Sequence, residues 1–193
     1  MKIAILWQQE LSGGVDTHLW SMLKNWPDLS DSFTILYNNG NQGYHRVKKE
    51  LHSLSNVELI AYQSFSYQPL SNQIKNRAAS FFVKLFAYSI LPITVMLMTK
   101  KIERLLNKYG EFEAIIANNG GYPAAWDCIS AIYAAKKLQL PKRIMLIHHE
   151  ASNYGLFHKK FEQLVDIKIL KSITNIITVS NATRQSLIDK RHF

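Results

Sequence analysis

The chain is poor in cysteine: Cys128 is the single one in 193 residues. No internal disulfide can form, which fits a reducing cytoplasm better than a disulfide-stapled secreted domain. Acidic residues are also in deficit, 14 Asp and Glu against 23 Lys and Arg, for a formal net charge of +9. That balance favours anionic partners without choosing among phosphate, nucleic acid and acidic lipid headgroups. The basic residues are scattered and no recognition motif accompanies them, so nucleic acid is set aside. There is no G-x-G-x-x-G, no Walker A pattern, no H-E-x-x-H and no cysteine cluster. A dinucleotide fingerprint, a P-loop and a zinc site are therefore not indicated, and no metal is expected. A secretory leader is not expected either. The apolar run after Lys2 is stopped by Gln8, Gln9 and Glu10 before it reaches the length of such a segment.

What is present is an ordinary globular composition, 47% hydrophobic and 19% charged, long enough to bury a sizeable core. Short apolar runs alternate with segments of helical period. The runs are residues 2–7, 32–37, 57–61, 114–117, 143–147 and 175–179. Between the first two, Val15, Leu19, Met22, Leu23 and Trp26 form one helical face that Pro27 closes. Asn118-Asn119-Gly120-Gly121 reads as a loop after a strand, with Pro123 in the first turn of the next helix. That helix should bury Ala125, Cys128, Ile129 and Ile132. Strand alternating with helix predicts an α/β fold: a doubly wound, mostly parallel sheet with helices on both faces, as one domain over residues 1–193.

Residues 78–98 are nearly all apolar, yet they do not read as a membrane span. Lys84 lies inside, Pro92 breaks the run, and Arg77, Ser80 and Lys84 make a polar stripe. The reading is a core helix kinked at Pro92. An alternative from the same residues, with Lys100, Lys101 and Arg104 following, is a basic helix resting on an anionic membrane surface.

In an open parallel sheet, ligands bind beyond the carboxyl ends of the strands. The unusual polar and glycine residues fall there, strand after strand. Gly13-Gly14 follows the first strand, where a bare backbone and the free N–H groups of a helix start suit phosphate; a tight turn would ask for the same residues. Asn119 and Gly120 follow a later strand. His148, His149 and Glu150 end the next. The two histidines point to opposite faces and so do not share a metal. A crevice histidine can exchange a proton with a substrate hydroxyl near neutral pH. Ser180 stands where it would cap the closing helix.

Three blocks resemble a known family. The first strand with "SGGVDTHLWSML", then "RIMLIHHE", then "NIITVSNATRQSLI" are similar, in order and spacing, to the first lobe of retaining glycosyltransferases of family 4. The resemblance implies a Rossmann-like N-terminal, acceptor-side lobe of a two-lobed GT-B fold. A nucleotide sugar would be the co-substrate, held mainly by a donor-binding lobe outside these 193 residues. The acceptor would be a glycan or a lipid-linked glycan, with transfer retaining the anomeric configuration and needing no metal or other cofactor; the absence of a D-x-D motif agrees. It further implies His149 as the catalytic group facing the reacting sugar. Gly13, Gly14, Asp16, Asn119, Gly120, His148, Glu150 and Ser180 are the candidate substrate-binding positions. The family often carries Glu where Asp16 stands. The implied setting is cytoplasmic, peripheral on the inner face of the membrane, and the lone lobe should fold without transferring sugar. From the residues alone, a stand-alone nucleotide- or phosphate-binding module and a membrane-surface interaction protein stay open.

Overall fold

The six apolar runs pair as one parallel sheet in a computed structural model that describes residues 1–65, 76–155 and 158–193. The strands are β1 (Lys2–Trp7), β2 (Ser32–Asn38), β3 (Val57–Tyr62), β4 (Ala114–Gly121), β5 (Lys142–His149) and β6 (Asn175–Thr178). Their spatial order is β3-β2-β1-β4-β5-β6. The chain winds outward from β1 in one direction and, after crossing back, outward from β4 in the other. The α/β, doubly wound expectation therefore holds, and the winding reverses between β1 and β4.

Helices α1 (Gly14–Lys24) and α2 (Tyr44–Leu51) lie on one face. There Val15, Leu19 and Leu23 pack with Val47 and Leu51 over Ile3, Ile5 and Ile35. The other face carries α4 (Leu91–Tyr109), α5 (Trp126–Lys137) and α6 (Lys159–Leu170), with α7 (Asn181–Arg191) behind β5 and β6. The split follows from strand alternation: Ile3, Ile5 and Trp7 point to the first face, Ala4 and Leu6 to the second. Each buried Val, Leu or Ile among them contributes about 1.5–3 kcal/mol on leaving water. Helix α5 is buried from Asp127 to Ala135, as a run rich in alanine between sheet and neighbouring helices permits.

Residues 78–98 form nearly all of one helix and the start of another, where a single kinked helix is expected from the sequence. Helix α3 (Arg77–Ser89) stops, and α4 begins at Leu91 with Pro92 in its first turn. A proline ring there clashes with the carbonyl four residues back, so the first helix cannot run through it. Helix α4 buries Leu91, Val95, Met98, Ile102 and Leu106, which makes it a core helix. The side chains of Arg77, Ser80 and Lys84, the expected polar stripe, lie outside those described. Among the described residues no helix is long and apolar enough to cross a membrane.

Two further corrections concern the segment after residue 117. Asn118 to Gly121 continue β4 instead of forming a loop, because Asn118 and Asn119 register with Leu146 and Ile147 of β5. Pro123 precedes α5 by three residues and is not in its first turn. Helices α2 and α6 are not marked by the strand-and-glycine pattern of the sequence.

Candidate functional site

The carboxyl ends of β1, β4 and β5 frame a crevice of about 350 Å³ at the point where the winding reverses. Gln8, Gln9 and Glu10 enter it from the end of β1, Gly120 and Gly121 from β4, and His149 from β5. Leu11 and Val15, on either side of Gly13-Gly14, complete the wall beside the first loop.

The Gly13-Gly14 pair does not serve a tight turn. Gly13 is the N-cap of α1 with φ −173°, an extended conformation open to any residue, and neither glycine has positive φ. A Cβ on Gly14 would meet nothing within 4 Å, and one on Gly13 would lie 3.6 Å from Gln9 Nε2, an ordinary contact. No steric or dihedral demand within the chain accounts for either glycine. Asp16 is fully buried, and its Oδ2 accepts a hydrogen bond from Gly13 N at 2.8 Å. This fastens the loop to the first turn of α1. It also occupies the Gly13 N–H, so an anion at this helix start has that donor withdrawn and a carboxylate below it. The Asp16 side chain is in turn wedged against Gly43, where a Cβ would stand 2.6 Å from Asp16 Cγ.

Neighbouring residues on β4 and β5 divide between the two faces. Asn118 and His148 turn toward α1: His148 Nε2 is 2.7 Å from Asn118 Oδ1, and the His18 ring meets His148 edge-on at 4.8 Å. Burial first, then His18 and His149, push the His148 pKa down to about 4, which leaves the ring neutral at pH 7. There it packs with Asn118 and His18. His149 takes the other side, is exposed and lines the crevice. Asn119 is fully buried, and its Oδ1 accepts from Gly121 N at 3.0 Å, shaping the crevice floor from below. The Nδ2 donors of Asn38, Asn118 and Asn119 are buried at this edge without a partner among the described residues.

The remaining sequence candidates lie farther out. Glu150 is exposed and pairs with Lys190 of α7 at 3.1 Å. Ser180 Oγ accepts from Thr183 N at 3.1 Å and so caps α7. Gly120 and His149 thus meet in the crevice, Gly13 and Gly14 border it, and His148, Glu150 and Ser180 engage neighbours within the chain. Gln8, Gln9 and Glu10 were legible only as the polar stop of the first strand; the signal was that three polar residues sit where ligand-binding loops begin. Among the described residues no group of three or more His, Cys, Asp or Glu could hold a metal ion.

No protein-family model matches the sequence, and no curated protein does. Solved structures of the GT-B fold do match. MurG of Acinetobacter baumannii superposes with TM-score 0.53 and 12% identity over 94% of this chain and 42% of that one. A UDP-N-acetylglucosamine 2-epimerase gives 0.54 and 12% over 97% and 44%. The lipopolysaccharide outer core galactosyltransferase WaaB gives 0.51 and 14% over 98% and 42%. The chain therefore has the fold of part of these proteins and spans less than half the length of each.

Proposed function

We propose that this chain is the acceptor-side lobe of a GT-B glycosyltransferase that transfers a sugar from a nucleotide-sugar donor to a glycan or lipid-linked glycan. The observation that carries the reading is the crevice at the β1/β4 reversal. Beside it runs a glycine loop whose glycines answer no internal demand, and an exposed histidine stands on its opposite wall. Bare backbone lets a ligand approach closely.

In this reading His149 hydrogen-bonds the reacting sugar or handles the acceptor proton. The acceptor oxygen bonds to the anomeric carbon as the bond from that carbon to the donor phosphate breaks, with retention as in family 4. Gly14 borders the donor side of the crevice, while a second lobe supplies most of the donor contacts. Positioning of donor against acceptor supplies much of the rate, so the 193 residues alone should bind a nucleotide sugar weakly and transfer nothing.

A second reading has an observation of its own. One of the matching folds is an epimerase, so a nucleotide sugar could be inverted at one carbon instead of transferred. Peripheral membrane association is supported by exposed Ile93, Met96 and Leu97 of α4 beside exposed Leu164, Ile167 and Leu170 of α6, with Lys100, Lys160, Lys168 and Lys171 among them. The test is to incubate the complete gene product with a panel of nucleotide sugars and mixed acceptors and to read products by mass spectrometry. A new glycoside supports transfer. An isomerised donor without transfer replaces it with epimerisation, and neither product from any donor sinks both.

A further inference from the structure

Beside the crevice lies a smaller cavity that the proposed function does not use. It holds about 140 Å³ and is walled by Tyr88, Leu91, Val95, Met98 and Trp126. Gln8 and Ala124 line both it and the crevice, so the two spaces meet across those residues. Asp127 and Gln8 stand at its polar end.

Three of its polar side chains make bonds within the chain. Thr94 Oγ1 donates to Leu91 O at 2.9 Å and Ser130 Oγ to Trp126 O at 3.0 Å, each within its own helix. Gln8 Oε1 accepts from Asp127 N at 2.9 Å. The cavity therefore offers a ligand an apolar wall and, at one end, the Asp127 carboxyl group and the Gln8 Nε2 donors. Asp127 is only 4% exposed, and burial raises its pKa. It accepts from Tyr62 OH at 2.9 Å and from Ser64. A carboxylate has about four acceptor positions, so further donors can be taken.

Size and polarity then choose the occupant. A cavity of roughly 150 Å³ lined by aliphatic and aromatic side chains is known to take a benzene-sized group. A free sugar ring would set hydroxyls against Leu91, Val95 and Met98, each unpaired group costing about 1–3 kcal/mol. We propose that this cavity is an aglycone subsite: the acceptor is a glycoside bearing an apolar group of one ring or about six carbons. That group enters between α4 and α5, and a sugar hydroxyl is held at Asp127 and Gln8 on the crevice side. Calling the ligand an acceptor rests on the glycosyltransferase reading; its chemistry rests on the cavity.

Isothermal titration of the chain with phenyl β-glucoside and with glucose tests it. The phenyl glycoside should bind at least tenfold more tightly. Thr94→Phe, which fills the cavity, and Ala124→Leu, which narrows its junction with the crevice, should each weaken it at least tenfold without changing the melting temperature. Ala124 is exposed, so that variant decides the matter if Thr94→Phe fails to fold. Equal binding of the two probes, no binding of the phenyl glycoside, or wild-type affinity in Ala124→Leu overturns the proposal. Phenyl glucoside binding in a complete protein that transfers no sugar would overturn the enzyme reading and leave the subsite standing.

Discussion

Two polar regions of this molecule are built on opposite principles. Around Arg191, at the end of α7, every guanidinium nitrogen has a carboxylate partner. The group donates to Glu162 at 2.7 Å and to both oxygens of Asp166 at 3.0 and 3.1 Å. The rings of Tyr154 and Tyr122 lie 4.1 and 5.4 Å from it, and both tyrosine hydroxyls donate to Asp166. Burial and the Asp166 carboxylate push Tyr154 up to about 12, so its hydroxyl stays a donor at neutral pH. At the carboxyl edge of β1, β4 and β5 the polar groups are left with capacity to spare: the buried amides of Asn118 and Asn119, without partners for Nδ2 among the described residues, glycines without a steric reason, and an exposed histidine. Saturated polar groups hold the fold together, here α6, α7 and the segment after β4. Unsaturated ones at a topological reversal leave room for the ligand of the proposed function.

The largest effect should come from breaking the saturated region. Arg191→Met leaves Glu162 and Asp166 buried without their partner and should cost about 3–5 kcal/mol in urea unfolding. A loss under 1 kcal/mol would mean that the network is not what ties α7 to α6. At the crevice the expectation reverses. Under the proposed function, His149→Ala in the complete protein should lower turnover about 100-fold or more, with the melting temperature unchanged. Normal turnover would make His149 a bystander.

A smaller effect is read at His148 from pH. The His148 pKa is depressed to about 4, below its unfolded value near 6.5, so the unfolded state binds the extra proton first. The stability tied to its neutral ring is present above about pH 6.5 and is lost as pH falls toward 4. The loss should be about 1 kcal/mol after discounting the part of the ring that water reaches. His148→Asn should flatten the stability profile between pH 6.5 and 4; an unchanged profile would deny the packed group its neutral ring. The smallest effect concerns the glycine loop. Gly14→Ala should raise stability by about 0.5 kcal/mol, since the helix start accepts the methyl group and the unfolded chain loses freedom. The same change should weaken nucleotide-sugar binding in the complete protein. Destabilisation would show that the glycine serves the fold after all.

Much of this was legible in the residues. All six strands lie where the apolar runs place them, and Ser180 caps its helix as its position foretells. His148 and His149 part to opposite faces because strand geometry allows nothing else. Other features were not legible. Asn118 to Gly121 carry loop chemistry but are drawn into β4, since pairing with β5 outweighs local turn preference. Asp16 gives no sign in sequence that its carboxylate is spent on Gly13 and pressed against Gly43, a residue 27 positions away.

The sequence by itself determined the period of each segment, hence the alternation of strand and helix and the collection of unusual residues at the strand ends. Those are local properties, governed by side-chain spacing along one stretch of backbone. Only the tertiary structure decided which of those residues share a space. Gln8 meets His149 in one crevice and Asp127 at the next because strand order, crossover direction and the reversal between β1 and β4 bring distant stretches together. No local pattern encodes a distance between residues more than 100 positions apart.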